Sequence, residues 1–338
     1  MGELRMSHLI DTFNRVHRDL RVSLTDRCSL RCTYCMPQDF DKWLPSEELL
    51  TTDELMTVIG VATEHGINQV RLTGGEPLLR PDIVDIVARI KALPHPPELS
   101  VTTNALRLAK LASPLANAGL SRVNVSLDTL DRERFIKMTH RDRFDDVIAG
   151  LKAARAAGLS PIKVNSVLMS GINEDEAPAL LKWAIDEGFF LRFVEQMPLD
   201  AGGIWSRDTM VTAQAVFDSL APFFTLTPVP SRGSAPAEEF FVDGGPATVG
   251  IIASVSQPFC GSCDRIRLTS DGQLRSCLFS KDEMDLRKIL RSEELSMDQI
   301  REEISTRLQK TVLGKLSGHG INNPDFVQPK RPMSAIGG

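Results

Sequence analysis

The sequence predicts an α/β fold: a parallel sheet with crossover helices, curled into a partial barrel of six βα units, followed by a C-terminal extension. Three observations predict it. Strand-like and helix-like segments alternate through the first two thirds of the chain, as parallel sheets with crossovers require. Polar and glycine-rich residues gather just after the strand-like runs, where βα barrels place their chemistry. Beyond about Pro228 the alternation stops and the composition changes.

The elements follow in order. Leu20 to Thr25 reads as a strand. Thr51 and Glu54 have capping-box spacing, so a helix opens there and runs towards His65. Gln69 to Thr73 is a short apolar strand stopped by Gly74 and Gly75. Pro81 starts a helix with Ile83, Ile86, Val87 and Ile90 on one face. Leu99 to Thr103 and Val123 to Leu127 are the next strands. Asp145 to Ala157 is helical, with Gly158 as its stop. Lys163 to Met169, a helix over Asp175 to Glu187, and Phe190 to Glu195 complete the set. Right-handed crossovers curl such a sheet, so function is expected just after Thr25, Thr73, Thr103, Leu127 and Glu195. Residues 1–228 form the barrel and residues 229–338 a C-terminal region. Within the latter, residues 229–246 are rich in Pro, Gly, Ser and Ala and read as a linker or long loop. A helix follows around Met297 to Lys310. Ser317 to Gly338 shows little periodicity and no core element.

The 338 residues are 42% hydrophobic and 25% charged, with a net charge of −5. That is the composition of a soluble globular protein. The acidic balance argues against a nucleic-acid binder but leaves room for a local cationic cluster that takes a small anion. Met1 to His8 lacks the apolar core of a secretory peptide. No apolar stretch reaches about 18 residues, so no membrane span is expected. The expected compartment is the cytoplasm, where six cysteines are more often metal ligands or redox groups than disulfides.

The cysteines fall into two sets of three, with none left over. Cys28, Cys32 and Cys35 form a C-x₃-C-x₂-C pattern directly after the first strand. Three thiolates on a loop suit a 4Fe–4S cluster with one iron open. Zinc is the alternative, but it takes four protein ligands and no fourth is near. The spacing, with Tyr34 before the third cysteine, resembles the signature of the radical S-adenosylmethionine (SAM) superfamily. Thr73-Gly74-Gly75-Glu76-Pro77 is similar to that family's GGEP segment. The glycines suit a chain that approaches a ligand with no Cβ in the way. The resemblance implies that the open iron chelates SAM and that reductive cleavage yields a 5′-deoxyadenosyl radical.

The second set is Phe259-Cys260-Gly261-Ser262-Cys263-Asp264-Arg265-Ile266-Arg267, with Cys277 fourteen residues beyond Cys263. A zinc site completed by His319 and a second cluster with an open iron both fit three thiols. A C-x₂-C-x-R-x-R segment, a third cysteine and a terminal Gly337-Gly338 resemble the GTP 3′,8-cyclase family of molybdenum cofactor biosynthesis. The resemblance runs from Arg21 to Gly338.

That resemblance implies a partial (βα)6 TIM-like barrel of the radical SAM type and two 4Fe–4S clusters, one held by Cys28, Cys32 and Cys35, the other by Cys260, Cys263 and Cys277. Tyr34, Gly75, Ser126 and Met197 would line the SAM site. GTP would lie between the clusters, met by Arg21, Arg71, Thr102, Lys163, Arg265 and Arg267, with Arg192 a further candidate. Arg21, Arg71, Lys163 and Arg192 each sit within a strand-like segment, where a charge needs a partner, and for any one of them an ordinary salt bridge is the alternative to a phosphate. Arg265, Arg267, Gly337 and Gly338 would act in catalysis, the double-glycine tail entering the site. The implied reaction takes hydrogen from C3′ of GTP, joins C3′ to C8, and ends with an electron and a proton. Implied partners are an electron donor, a second copy in a homodimer, and a downstream cyclic pyranopterin monophosphate synthase. No nucleic acid or membrane is expected. One departure stands out: Gln69 occupies a position where many members carry Lys.

Overall fold

Period-two alternation along the strands decides the architecture. The computed structural model describes residues 8–200, 202–203, 205–324 and 326–337. Its first six strands are β1 (Asp19–Ser23), β2 (Gln69–Thr73), β3 (Glu98–Thr103), β4 (Arg122–Ser126), β5 (Ile162–Val167) and β6 (Phe190–Val194). Neighbours among them all pair in parallel. Helices carry the chain back: α1 (Thr52–Glu64), α2 (Ile83–Lys91), α3 (Leu108–Asn117), α4 (Arg132–Thr139), α5 (Phe144–Ala156), α6 (Ala177–Glu187) and α7 (Ala213–Leu220).

Local chemistry sets the helix ends. The Thr51 hydroxyl accepts from Glu54 N at 3.2 Å and the Glu54 carboxylate from Thr51 N at 2.7 Å, closing the capping box that starts α1. Gly188 takes the left-handed conformation that ends α6. The sequence reading missed α3, which carries Pro114 inside it. Leu108, Ala112 and Leu115 nevertheless bury its face, and α3 packs on α5.

The C-terminal region corrects two expectations. Residues 229–246 are not all loop, because β8 (Glu238–Val242) lies within them, paired with β7 (Leu226–Pro228) and β9 (Thr248–Ile252). β9 runs parallel to β6 and extends one edge of the barrel. β10 (Arg265–Leu268) runs parallel to β1 and extends the other, followed by β11 (Gln273–Arg275) and β12 (Met284–Asp285). The result is a single sheet in the order β12-β11-β10-β1-β2-β3-β4-β5-β6-β9-β8-β7. After it come α8 (Arg287–Leu290), α9 (Met297–Leu313) and α10 (Met333–Ile336). Residues beyond 317 do contribute to a core: Ile321 and Ile336 are buried with Leu199, Val255, Leu278 and Phe279. Scattered single anchors leave no period to read.

Leu20, Val22, Val70, Leu72, Leu99, Val101, Val123, Val125, Val164 and Leu191 belong to one buried core with the helices' apolar faces. The alternate residues of the same strands face the other way and are mostly polar. Asp19, Arg21, Arg71, Ser100, Asn124, Lys163 and Arg192 lie there. The apolar layer holds the sheet to its helices, and the barrel's concave face is free for chemistry. No helix among the described residues is long and apolar enough to cross a membrane.

Candidate active site

The loop after β1 carries Cys28, Cys32 and Cys35, and the GGEP segment after β2 braces it. Gly75 N donates to Thr25 O at 2.7 Å, and Glu76 N to Arg27 O at 2.8 Å. A Cβ on Gly74 would stand 2.3 Å from Thr25 O, and one on Gly75 2.3 Å from Asp26 O. The glycines make room for the cysteine loop's own carbonyls, a need that adds to the close approach of a ligand expected from the sequence. Glu76 is buried and its carboxylate accepts from Thr103 Oγ1 (2.6 Å), Asn104 N (2.7 Å) and Leu78 N (3.0 Å). Burial pushes this carboxyl up to about 7, while three donors aimed at it favour the ionised form. It ties the ends of β2 and β3 together beside the cysteines.

Burial pushes the Cys28 thiol up to about 11 and Cys35 up to about 12, and lifts Cys32 well above the ordinary thiol range. Cys28 raises the other two further, and Cys35 adds to the rise of Cys32. Bare, they would stay protonated; a coordinating cation removes such protons outright. Donors already point at the sulfurs. Asn104 Nδ2 is 3.7 Å from Cys28 Sγ, and Ser334 N–H bonds to Cys35. The set suits a three-thiolate cluster. Tyr34 Oη donates to Asp128 Oδ2 at 2.8 Å, and Val167 N donates to Asp128 Oδ1 at 2.9 Å. Ser126 ends β4, two residues before Asp128.

Cys260, Cys263 and Cys277 converge on one cavity of about 370 Å³ and on a smaller one, about 70 Å³, on the barrel side. Met197, Arg265 and Arg267 line the smaller one, so the structure places Met197 beside the second cysteine set. His319 shares both walls. Its Nε2 bonds to Ser254 O at 3.1 Å and its Nδ1 accepts from Ile321 N at 3.2 Å. With both ring nitrogens engaged it is no fourth zinc ligand here. Among the described residues no three His, Cys, Asp or Glu side chains are gathered about a single-ion position. A cubane's three ligated corners are separate irons, so spread thiols are compatible with it.

Between the two sets the concave face is cationic. Register aligns Arg267 with Arg21, Arg21 with Arg71, and Arg71 with Ser100, across β10, β1, β2 and β3. Thr102, Asn124 and Lys163 form a second row, and Ser126, Asn165 and Arg192 a third. Like charges directly opposite repel. Two of these cations have an ion pair: Arg21 with buried Asp19 at 3.3 Å and Arg265, more loosely, with Asp264 at 3.9 Å. Against the cost of burial, Arg21, Arg71 and Arg265 hold Asp19 below the usual carboxylate range. Among the described residues Arg71, Lys163 and Arg192 pair with no carboxylate at ion-pair distance. Arg71 donates to Ser100 Oγ at 3.3 Å. Arg192 donates to the amide oxygens of Asn124 (2.8 Å) and Asn165 (2.9 Å). Gly250, opposite it on β9, leaves it space, since a Cβ there would stand 2.9 Å from Arg192 Cγ. Burial, reinforced by Arg192, pulls Lys163 down to about 8. Burial, reinforced by Arg21, pulls Arg267 down to about 9. Arg265 donates to Ser234 O at 3.0 Å and stacks 4.9 Å from the Phe259 ring. Gln69 lies on β2 in register with Asp19, below the arginine row.

The tail closes the picture. Arg331 grips Asp271 through two nitrogens (3.1 and 2.8 Å) and Glu283 at 2.7 Å. From that anchor α10 leads inward. Gly337 takes φ +88°, and a Cβ on it would meet Ser23 and Thr73 at 3.0 Å, at the ends of β1 and β2. Its carbonyl accepts from Arg267 Nη1 at 2.6 Å. Gly338 lies outside the described residues.

Two cysteine triplets flanking a cationic barrel face define a chemistry that comparison with known proteins identifies. The Radical SAM superfamily profile matches residues 22–184, and the Molybdenum Cofactor Synthesis C profile residues 189–313. A curated relative from Streptomyces coelicolor, GTP 3′,8-cyclase, is 57% identical over 98% of this chain and 96% of its own. The chain belongs to the GTP 3′,8-cyclase family. GTP 3′,8-cyclase 2 from Mycobacterium tuberculosis is 53% identical over 98% of this chain and 92% of its own. Among solved structures, Streptococcus suis SuiB bound to S-adenosylmethionine superposes with a TM-score of 0.59 at 14% identity, covering 95% of this chain and 77% of that one. Native anSMEcpe with bound AdoMet gives 0.56 at 15% identity, covering 86% and 82%. These two share the fold, the partial barrel of the radical SAM type. As a radical SAM cyclase, the chain takes a 4Fe–4S cluster and SAM.

Sequence reasoning left several of the family site's neighbours unnamed. Asn104 stands directly after β3 and Asp128 two residues after β4, positions the strand-end rule marks without saying which side chain matters. Asn124 and Asn165 give no signal until register places them against Arg192. Lys315 and Arg15 reach the second cysteine set from far along the chain, a proximity that spacing does not encode.

Proposed function

We propose that this chain converts GTP to (8S)-3′,8-cyclo-7,8-dihydroguanosine 5′-triphosphate with SAM as radical source, the first step of molybdenum cofactor biosynthesis. The observation that carries this reading is the Arg267–Arg21–Arg71 row between two cysteine triplets. Adjacent guanidinium groups with one carboxylate between them call for a polyanion, and a triphosphate supplies one.

Cys28, Cys32 and Cys35 hold the SAM cluster, and Tyr34, Gly75, Ser126 and Met197 line the SAM site. Cys260, Cys263 and Cys277 hold a second 4Fe–4S cluster that meets the guanine. When bound, cluster and SAM supply the carbon radical that starts the reaction at C3′. The chain's own residues do the rest. Arg21, Arg71, Thr102, Lys163, Arg192, Arg265 and Arg267 hold and orient GTP across the barrel face. Asp128 fixes Tyr34 by its 2.8 Å hydrogen bond. Gly337 lies over the mouth of β1 and β2, and the Gly337–Gly338 tail seals the site around a radical that would attack any exposed C–H bond. The barrel of residues 1–228 carries SAM, and residues 229–338 carry the second cluster and the tail. An electron donor, a homodimer partner and a downstream cyclic pyranopterin monophosphate synthase complete the setting, in the cytoplasm, without nucleic acid or membrane.

The test is anaerobic reconstitution, reduction, addition of SAM and GTP, and mass spectrometry. 5′-Deoxyadenosine together with cyclised GTP supports the reading. 5′-Deoxyadenosine without cyclised GTP overturns the substrate, and neither product from protein holding about eight irons overturns the reaction.

A further inference from the structure

Lys315 follows Gly314, the cap of α9, and is only 4% exposed. Its ammonium donates to Arg265 O at 2.5 Å and to Cys263 Sγ at 3.4 Å. Among the described residues no carboxylate pairs with it. The ionisable groups that act on it most are the thiols of Cys263 and Cys277 and the Arg265 guanidinium. An ammonium in this position is costly unless something negative faces it. Neutral thiols are not negative; thiolates on a cluster are.

The loop bearing Lys315 is locked in place. Arg15 donates to Cys260 O (2.7 Å) and Leu316 O (2.8 Å), bracing one cysteine's backbone against the residue after Lys315. Asp11, buried, accepts from Arg15 Nε at 2.5 Å and bonds to His17 Nε2 at 3.0 Å. The lysine therefore reaches Cys263 from a fixed base. At the first cysteine set a neutral amide, that of Asn104, lies 3.7 Å from Cys28 Sγ.

We propose that Lys315 is a positioning residue for the second iron–sulfur cluster: its ammonium donates to the Cys263 thiolate and raises that cluster's reduction potential. The proposal rests on the reading that Cys260, Cys263 and Cys277 hold a cluster. One-electron reduction adds a negative charge to the cluster, and a fixed cation on a ligating sulfur stabilises the reduced form.

The experiment uses the full chain with Cys28, Cys32 and Cys35 replaced by Ala, so that only the second set can bind iron. Iron per chain and an EPR-monitored redox titration are measured with Lys315 intact, with Lys315→Met, and with Lys315→Arg. With Lys315 intact, about four irons per chain are expected. Lys315→Met shifts the cluster at least tenfold towards its oxidised form at a given potential, about 59 mV for one electron, and Lys315→Arg, which keeps the charge, shifts it less. If Lys315→Met loses the second cluster altogether, the same substitution in the otherwise intact chain must keep the first cluster's signal for the proposal to stand. Unchanged iron and potential in Lys315→Met would overturn the proposal and leave the cluster reading standing. No iron with Lys315 intact would overturn the cluster reading itself.

Discussion

Arg71→Met separates a charge kept for a ligand from one kept for the fold. Neighbouring strands lie about 4.8 Å apart, so guanidinium groups in register across β1 and β2 stand roughly 6 Å apart. At an effective dielectric of about 20, each such pair costs roughly 3 kcal/mol. Arg71 faces Arg21 directly, and Arg192 and Arg122 also act on it, while Asp19 attracts it. Burial and Arg21 together hold its guanidinium well below the ordinary range, the mark of a charge the free protein does not welcome. Methionine removes the charge and keeps much of the stem. Loss of the 3.3 Å bond to Ser100 costs about 1.5 kcal/mol, the low end for a charged donor. The ligand-free variant should gain about 1–3 kcal/mol in chemical denaturation. GTP should bind roughly 10- to 150-fold more weakly, as expected from the loss of one charge-assisted hydrogen bond of about 1.5–3 kcal/mol, measured by anaerobic equilibrium dialysis. A less stable variant with unchanged GTP affinity would refute the reasoning, because Arg71 would then be balanced within the protein.

Other perturbations probe the rest of the site. Gly75→Ala places a Cβ 2.3 Å from Asp26 O and 2.4 Å from Arg27 O, displacing the first cysteine loop at a cost of about 1–3 kcal/mol; iron should fall from about eight to about four per chain, and full iron loading would contradict the bracing role. Lys163 titrates near 8 in the folded chain against 10.5 when unfolded. The unfolded state thus binds more protons between those values, so stability rises with pH from about 8 to 10.5, and Lys163→Met removes that rise. GTP favours the charged form, so its affinity should fall above about pH 8 and its binding at pH 9 should take up protons, a heat that depends on the buffer; a pH-independent affinity would place Lys163 off the ligand. Arg331→Met frees the tail from Asp271 and Glu283. Faster amide exchange over 333–337 and kcat/KM for cyclisation about 10- to 100-fold lower, or about 1.4–2.7 kcal/mol, should follow with SAM binding kept; unchanged exchange would show the anchor to be redundant.

What the sequence alone determined is what short-range chemistry writes. The capping box at Thr51 and Glu54 started α1 where expected, because its two hydrogen bonds join residues three apart. Strand β2 ran from Gln69 to Thr73 as read, because two glycines stop it. The two cysteine triplets were legible because each lies within a short stretch of sequence, and the family resemblance followed from them.

Tertiary structure decided the rest, because its causes lie far apart in the chain. Nothing in residues 229–268 announces that β9 and β10 lengthen opposite edges of the barrel; only pairing with β6 and β1 does. That pairing sets Arg267 beside Arg21 and turns scattered charges into a row. The glycines after β2 could be noticed in the sequence, but one reason for them is the carbonyls of a loop about 48 residues upstream. Lys315 reaches Cys263 across 52 residues. A buried charge is defined by what surrounds it, and surroundings exist only once the chain has folded.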